Sequence, residues 1–432
     1  MSYAKNYYLK KIYNMKLNLD RINYFAESHF KLILFLIFII NIAVRILFIP
    51  DILLKQDAFV YLIKIKEILA GNFEPNRAGA MGWPLLASLF MLKFSNTSIY
   101  IQGYILQLSS AVVGSLIFIP VFLISKKILP KNYVIISMLF LTFDYFMIIT
   151  SVSGLSEPLF TFVFMFMIYF IIKSYENYKY IFVASILAAL CSIIRVNGLF
   201  TLLIVLFSYI LMKKQVRNWN YIHLLIMIII FSASISPYML LKNYYHGSFF
   251  DFGGESGFLL SSGQEAWAPN TKIPTITEFL SSNSLATIVN KLFFSGFIKL
   301  VYSYIFVIIS PLLILFFVLG IFSLFIKQKQ NFKIPIITSI FVWFIFHIPI
   351  YGSFTYPRYL YPTVPIILII STLGIKYTAD NIRKIKNIFV AIILIIFIAI
   401  SMKASINAVN SIEEDPMNHE LDWALWTAKN LQ

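Results

Sequence analysis

Repeated apolar runs of membrane-spanning length constrain this chain more than any other feature. The first runs from Lys31 to Pro50. Others follow at about 100–125, 132–150, 158–173, 180–195, 198–212, 221–241, 302–326, 334–351, 363–375 and 387–402. Continuous apolar runs of about 18 residues read as transmembrane helices. Inside hydrocarbon each backbone N–H and C=O must find a partner within the protein, which leaves helices or closed barrels. A barrel needs alternating short strands, and these runs do not alternate. The expected fold class is therefore an all-α polytopic membrane protein with about 11 transmembrane helices. Composition agrees, because 59% of the 432 residues are hydrophobic and only 12% are charged, against about half and a quarter in soluble domains.

Charge orients the bundle. The net charge of +16 would point to nucleic acid in a soluble protein. Here it follows from the Lys and Arg that cytoplasmic loops collect, and no nucleic-acid partner is expected. With the N-terminus inside, 21 of the 35 basic residues fall in inner segments, 13 in outer ones and Arg45 within the first span. The acids reverse this, with 14 of 19 outside, four inside and Asp144 within a span. The expectation is a multi-pass protein of the cell membrane, N-terminus cytoplasmic and C-terminus outside. About thirty polar residues precede the first run, too many for a signal-peptide n-region, so that run is expected to stay as an anchor. Cys191 is the single cysteine, which excludes an intrachain disulfide and a thiolate metal centre.

The organisation follows. Residues 1–30 form a basic cytoplasmic segment, 31–402 the membrane domain with outer loops at 51–99 and 242–300, and 403–432 an acidic outer tail bearing Trp423 and Trp426. In the first outer loop, Phe59, Leu62, Ile63, Ile65, Ile68 and Leu69 alternate with Lys64, Lys66 and Glu67 at helical spacing. That pattern predicts an amphipathic helix at the membrane surface. Met81-Gly82-Trp83-Pro84 then opens a short apolar stretch, re-entrant or interfacial. No internal repeat, paired broken helices or Walker loop is present.

Four short turns place polar groups on the outer side. They are Gln56-Asp57-Ala58, Ser153 to Pro158 with Glu157, Arg195-Val196-Asn197-Gly198, and Tyr356 to Pro362 with Arg358 and Tyr359. Two carboxylates and two guanidiniums on one face suit a phosphate-bearing substrate. Arginine offers a planar fork of donors to phosphate oxygens, and a carboxylate can take a hydroxyl proton. Each residue also has a plainer reading. Arg195 and Arg358 are long enough to snorkel to headgroups. Glu157, followed by Pro158, fits the start of a helix. Asp144 has the position to pair with a buried base. His223 reads as an interface residue, His347 beside Trp343 and Phe346 as core, and His246 as a weak candidate. No HExxH or DxD motif occurs, so a divalent metal has no sequence support and no cofactor is assigned.

These turns resemble those of the GT-C superfamily of membrane glycosyltransferases, in the branch of protein-O-mannosyltransferases and aminoarabinose transferases. The resemblance runs in order from the first span to the tenth. It rests on Asp57 with Tyr61 in the first outer loop, Ser156 to Phe160, Arg195 to Gly198, and Arg358 to Pro362. It implies a GT-C-like bundle and a polyprenyl-phosphate sugar donor. The acceptor would be a protein hydroxyl, a lipid or a glycan. Asp57 and Glu157 would be catalytic, and Tyr61, Arg195, Arg358 and Tyr359 would bind substrate, with membrane lipids around the bundle. Two departures stand out. Relatives often carry Asp-Glu where this chain has Asp57-Ala58, and many carry a folded outer domain after the last span, which these residues lack. The Trp-Trp-Asp motif of oligosaccharyltransferases is absent. The competing expectations are a lipid-linked sugar flippase or transporter and a scaffold subunit.

Overall fold

The computed structural model describes residues 28–50, 56–75, 81–216, 218–247, 249, 278, 281–327, 330–353, 357–382 and 386–414. The basic segment up to residue 27, Asp51, most of the loop 248–277 and the acidic tail from 415 lie outside them. Among the described residues every regular element is helical. Seven helices among the described residues are long and apolar enough to cross a bilayer, and a bent pair read as one span is an eighth.

The first span, α1 (Phe30–Leu47), is followed by α2 (Gln56–Leu69) and α3 (Gly82–Met91). The expected amphipathic helix is α2. Its Ala58, Leu62 and Ile65 are buried with Trp83, Ala87 and Met91 of α3, and Val60 is exposed. Burying a leucine or isoleucine contributes about 1.5–3 kcal/mol, so this seam fixes which face of α2 carries Asp57 and Tyr61. Ten residues give α3 a length of roughly 15 Å, which is half a span.

Next come α4 (Ile99–Leu116) and α5 (Phe118–Ile128), then α6 (Lys131–Phe143) and α7 (Tyr145–Ser151). The sequence reads 132–150 as one span; the structure breaks it by 51° at Asp144. Asp144 has extended backbone and its carboxylate accepts from the Met147 N–H at 2.9 Å, capping α7. The other side of the break is served by Arg45, fully buried in α1. It donates to the Leu141 carbonyl at 3.3 Å, to the Asn41 carbonyl at 3.1 Å and to Ser151 Oγ at 3.3 Å, and also to Asn41 Oδ1. A broken helix frees carbonyls and amides that hydrocarbon cannot solvate. Arg45 and Asp144 supply those partners.

The chain continues through α8 (Glu157–Lys173), α9 (Tyr180–Ile194), a 3-10 turn at Val196–Leu199, α10 (Phe200–Leu211) and α11 (Ile222–His246). The sequence places an outer loop over 242–300. Within that range the structure carries α11 to His246 and shows helix from Leu285 on to Ile308, partly in π geometry. Asn290, Lys291 and Lys299 interrupt the apolar pattern there and hide a helix from a hydropathy reading. Then follow α12 (Pro311–Lys327), α13 (Gln330–Ser353), a 3-10 turn at Pro357–Thr363, α14 (Val364–Asn381) and α15 (Lys386–Glu414).

The central helix is α14, in which every residue from Val364 to Ile375 is buried. It meets α12 backbone to backbone. A Cβ added at Gly374 would stand 1.8 Å from the Phe316 carbonyl oxygen and 2.8 Å from the Gly320 amide nitrogen. Lipid provides no hydrophobic drive for helix association, so close approach through small residues supplies it. Gly374→Ala is therefore expected to destabilise by about 1–3 kcal/mol, read as a lower melting temperature in detergent; an unchanged melting curve would contradict this contact.

Candidate functional site

The four polar turns meet at one end of the bundle, each for a local reason. Asp57 stands in the first turn of α2, where a helix dipole favours an acid. Glu157 and Pro158 open α8, with Ser156 before them. The sequence reading of Glu157 as a helix-start residue is correct as far as it goes, but its carboxylate is also buried against two arginines. Arg195 terminates α9 in extended backbone and the 3-10 turn begins at once. Gly198 allows that tight return, because a Cβ there would lie 2.3 Å from the Cys191 carbonyl group. Arg358 and Tyr359 ride on the 3-10 turn between Pro357 and Pro362.

Glu157 Oε1 lies 2.7 Å from Arg195 Nη1 and 3.7 Å from Arg358 Nε. Arg358 Nη1 pairs with Asp57 Oδ2. Both guanidiniums lie against the ring of Tyr359, at 5.2 Å for Arg195 and 5.7 Å for Arg358, within cation–π range. Tyr61 Oη is 3.1 Å from Ser156 Oγ, and Arg195 Nη1 donates to the same Oγ at 3.0 Å. Burial pushes the Tyr61 phenol up to about 12, so it remains a neutral O–H at physiological pH. All six sequence-predicted site residues are thus brought together. Their formal charges cancel, and the Glu157 side chain is 2% exposed against 33% for Asp57. One carboxylate is buried against the arginines, and the other is partly exposed.

Sequence reasoning missed several supporting groups. Ser156 is fully buried and joins Tyr61 to Arg195. Trp83 Nε1 donates to the Gly154 carbonyl at 2.9 Å, holding the turn that leads to Glu157. Tyr361 Oη reaches Ser151 Oγ at 3.0 Å and so joins the Arg358 turn to the Arg45 network. The Trp83-Pro84 pair was visible as a helix opening; nothing in the sequence connects it to residue 154. Of the histidines, His223 Nδ1 is 2.6 Å from Tyr209 Oη and its ring stacks on Tyr178. His246 Nε2 donates to the Pro75 carbonyl at 2.6 Å. His347 lies beside the site. Among the described residues no three His, Cys, Asp or Glu side chains gather as metal ligands. Asp57 and Glu157 face guanidiniums, whose charge disfavours a divalent cation between them, so this donor set does not fit a metal.

No protein-family model and no curated protein sequence matches the chain. Solved structures do. The aminoarabinose transferase ArnT from Cupriavidus metallidurans, bound to undecaprenyl phosphate, aligns with a TM-score of 0.55 at 12% identity, over 79% of this chain and 59% of that one. The Archaeoglobus fulgidus oligosaccharyltransferase AglB, with an inhibitory peptide and a dolichol-phosphate, aligns with a TM-score of 0.57 at 14% identity, over 90% and 56%. The same enzyme tethered to an acceptor peptide gives 0.58 at 15% identity, over 89% and 56%. The fold is that of the GT-C membrane glycosyltransferases. The chain spans little more than half the length of each of these structures.

Proposed function

We propose that this protein is an inverting glycosyltransferase that moves a sugar from a polyprenyl-phosphate donor to a hydroxyl of a protein, lipid or glycan at the outer face of the cell membrane. The observation that carries the reading is the paired arrangement of Arg195 and Arg358 around Glu157, with the partly exposed Asp57 paired to Arg358. Undecaprenyl phosphate and dolichol-phosphate bound to proteins of this fold support the donor class.

In the reaction the acceptor oxygen forms a bond to the anomeric carbon as the anomeric C–O bond to phosphate breaks. The bonding pair leaves with the polyprenyl phosphate, and the hydroxyl proton passes to Asp57. Charge grows on the phosphate as it departs, and preorganised guanidiniums stabilise that change. A phosphodiester donor carries one negative charge, which the planar N–H forks of the two guanidiniums are suited to meet. The Asp57 carboxylate occupies Arg358 in the absence of donor. A docking phosphate competes for the same fork and releases Asp57 to take the proton.

The transporter reading draws on ionisable groups within the spans. Arg45 and Asp144 are such groups, but they are engaged across the break between α6 and α7. The charges that remain for substrate sit at one end, which favours an enzyme. The test is transfer in proteoliposomes from radiolabelled polyprenyl-phosphate hexoses to a membrane-lipid and peptide acceptor pool. Wild type is expected to label an acceptor, and Asp57→Asn to lose transfer while inserting and eluting normally. Movement of donor between leaflets without transfer would replace this reading with the flippase; full activity in Asp57→Asn would remove Asp57 from the chemistry.

A further inference from the structure

Trp343 and His347 lie one turn apart on α13, and both are fully buried. Their rings stack at 4.4 Å and 29°. A core pair needs no more than that, and core packing is what their sequence context implies. Their polar atoms are placed more specifically. Trp343 Nε1 donates to the carbonyl of Tyr359, the residue after Arg358, at 3.1 Å. His347 Nδ1 lies 2.7 Å from the Trp343 carbonyl. A carbonyl only accepts, so Nδ1 carries the hydrogen and Nε2 presents a lone pair. The Asn197 amide nitrogen, two residues after Arg195, is 3.3 Å from that Nε2 and donates to it.

The same pair reaches the third charged element. Trp343 packs against Phe160 at 5.4 Å and Phe164 at 5.3 Å, both on α8, whose first turn holds Glu157. His347 also approaches the Tyr359 ring at 6.5 Å, the surface against which both guanidiniums lie. One stacked pair therefore touches the Glu157 helix, the Arg195 turn and the Arg358 turn.

We propose that Trp343 and His347 are positioning residues that set the spacing of the two guanidiniums for a polyprenyl phosphate, with His347 acting as the neutral Nδ1-protonated tautomer. The proposal rests on the functional reading above. Arg195 and Arg358 sit on separate turns. A planar fork gains from phosphate only when its angle is right. Beside the Glu157 carboxylate and the Tyr359 ring, the Trp343–His347 pair is a further rigid piece common to both turns.

The test uses the full-length protein in detergent and reads undecaprenyl phosphate affinity together with the transfer kinetics. His347→Phe keeps a ring to stack on Trp343 and removes both hydrogen bonds. His347→Gln returns an acceptor oxygen near the Nε2 position. We expect His347→Phe to weaken phosphate affinity about tenfold, the upper end of the range for one lost neutral hydrogen bond. Donor KM should rise to match, with acceptor KM unchanged, and His347→Gln should recover most of the loss. Trp343→Phe should shift donor KM in the same direction through the other turn. Wild-type affinity and donor KM in a folded His347→Phe would overturn the proposal. So would equal losses in donor and acceptor KM with no recovery in His347→Gln, which is the signature of general destabilisation. If His347→Phe does not fold, Asn197→Ala cuts the same contact from the other side, and an unchanged donor KM there would overturn it equally. Absence of phosphate affinity in wild type would instead remove the functional reading on which it stands.

Discussion

Arg358→Ala is expected to reduce transfer by about 10²–10³ in kcat, the scale of losing one preorganised donor to a developing anion. The Arg358 side chain is 26% exposed, pairs with Asp57, and lies against Tyr359. It also stands 3.7 Å from Glu157 Oε1, whose nearer partner is Arg195 at 2.7 Å. The loss should therefore appear in the chemical step while elution and melting stay close to wild type. Arg358→Lys should recover little, because an ammonium is a point charge without the planar fork. Single-turnover transfer at saturating donor measures this directly. A kcat within twofold of wild type in Arg358→Ala would show that the leaving phosphate does not rely on this guanidinium.

Glu157→Ala is expected to act in two opposite directions. Its carboxylate is almost fully buried and compensates Arg195, which is itself 14% exposed. Breaking a buried pair on one side costs about 3–5 kcal/mol because a charge is left without its counterpart. Melting temperature should fall accordingly. The formal charge of the four-residue cluster simultaneously moves from zero to +1, so the protein that does fold should bind undecaprenyl phosphate more tightly than wild type and release it more slowly. Thermal melting and phosphate titration on one preparation separate the two effects. Weaker phosphate binding together with unchanged melting would contradict the assignment of Glu157 as the internal counter-ion.

The membrane class and the approximate spans were legible in sequence, and so were the six charged and aromatic residues that the structure brings together. Each rests on a local signal. Apolar runs must become helices in hydrocarbon. Ser156-Glu157-Pro158 opens a helix, and Arg195 is followed at Gly198 by the residue that a close return requires. Order along the chain was then enough to place the four turns on one face. The helix from Leu285 was not legible, since Asn290, Lys291 and Lys299 dilute its hydropathy below that of its neighbours. Nor was the break at Asp144, because an aspartate that caps a second helix looks in sequence like any lone intramembrane acid.

Only the tertiary structure decided the pairings. Asp57 meets Arg358 and Glu157 meets Arg195, although composition allows either match. Arg45 in the first span finds Ser151 and Leu141. His347, with the local pattern of a core residue, turns out to hold the Arg195 turn. These contacts depend on which helices pack and in what rotation. That is set by shape at places such as the close approach of Gly320 to Gly374. Local sequence specifies where a polar group must be satisfied in a membrane; the packing of distant helices specifies which group satisfies it.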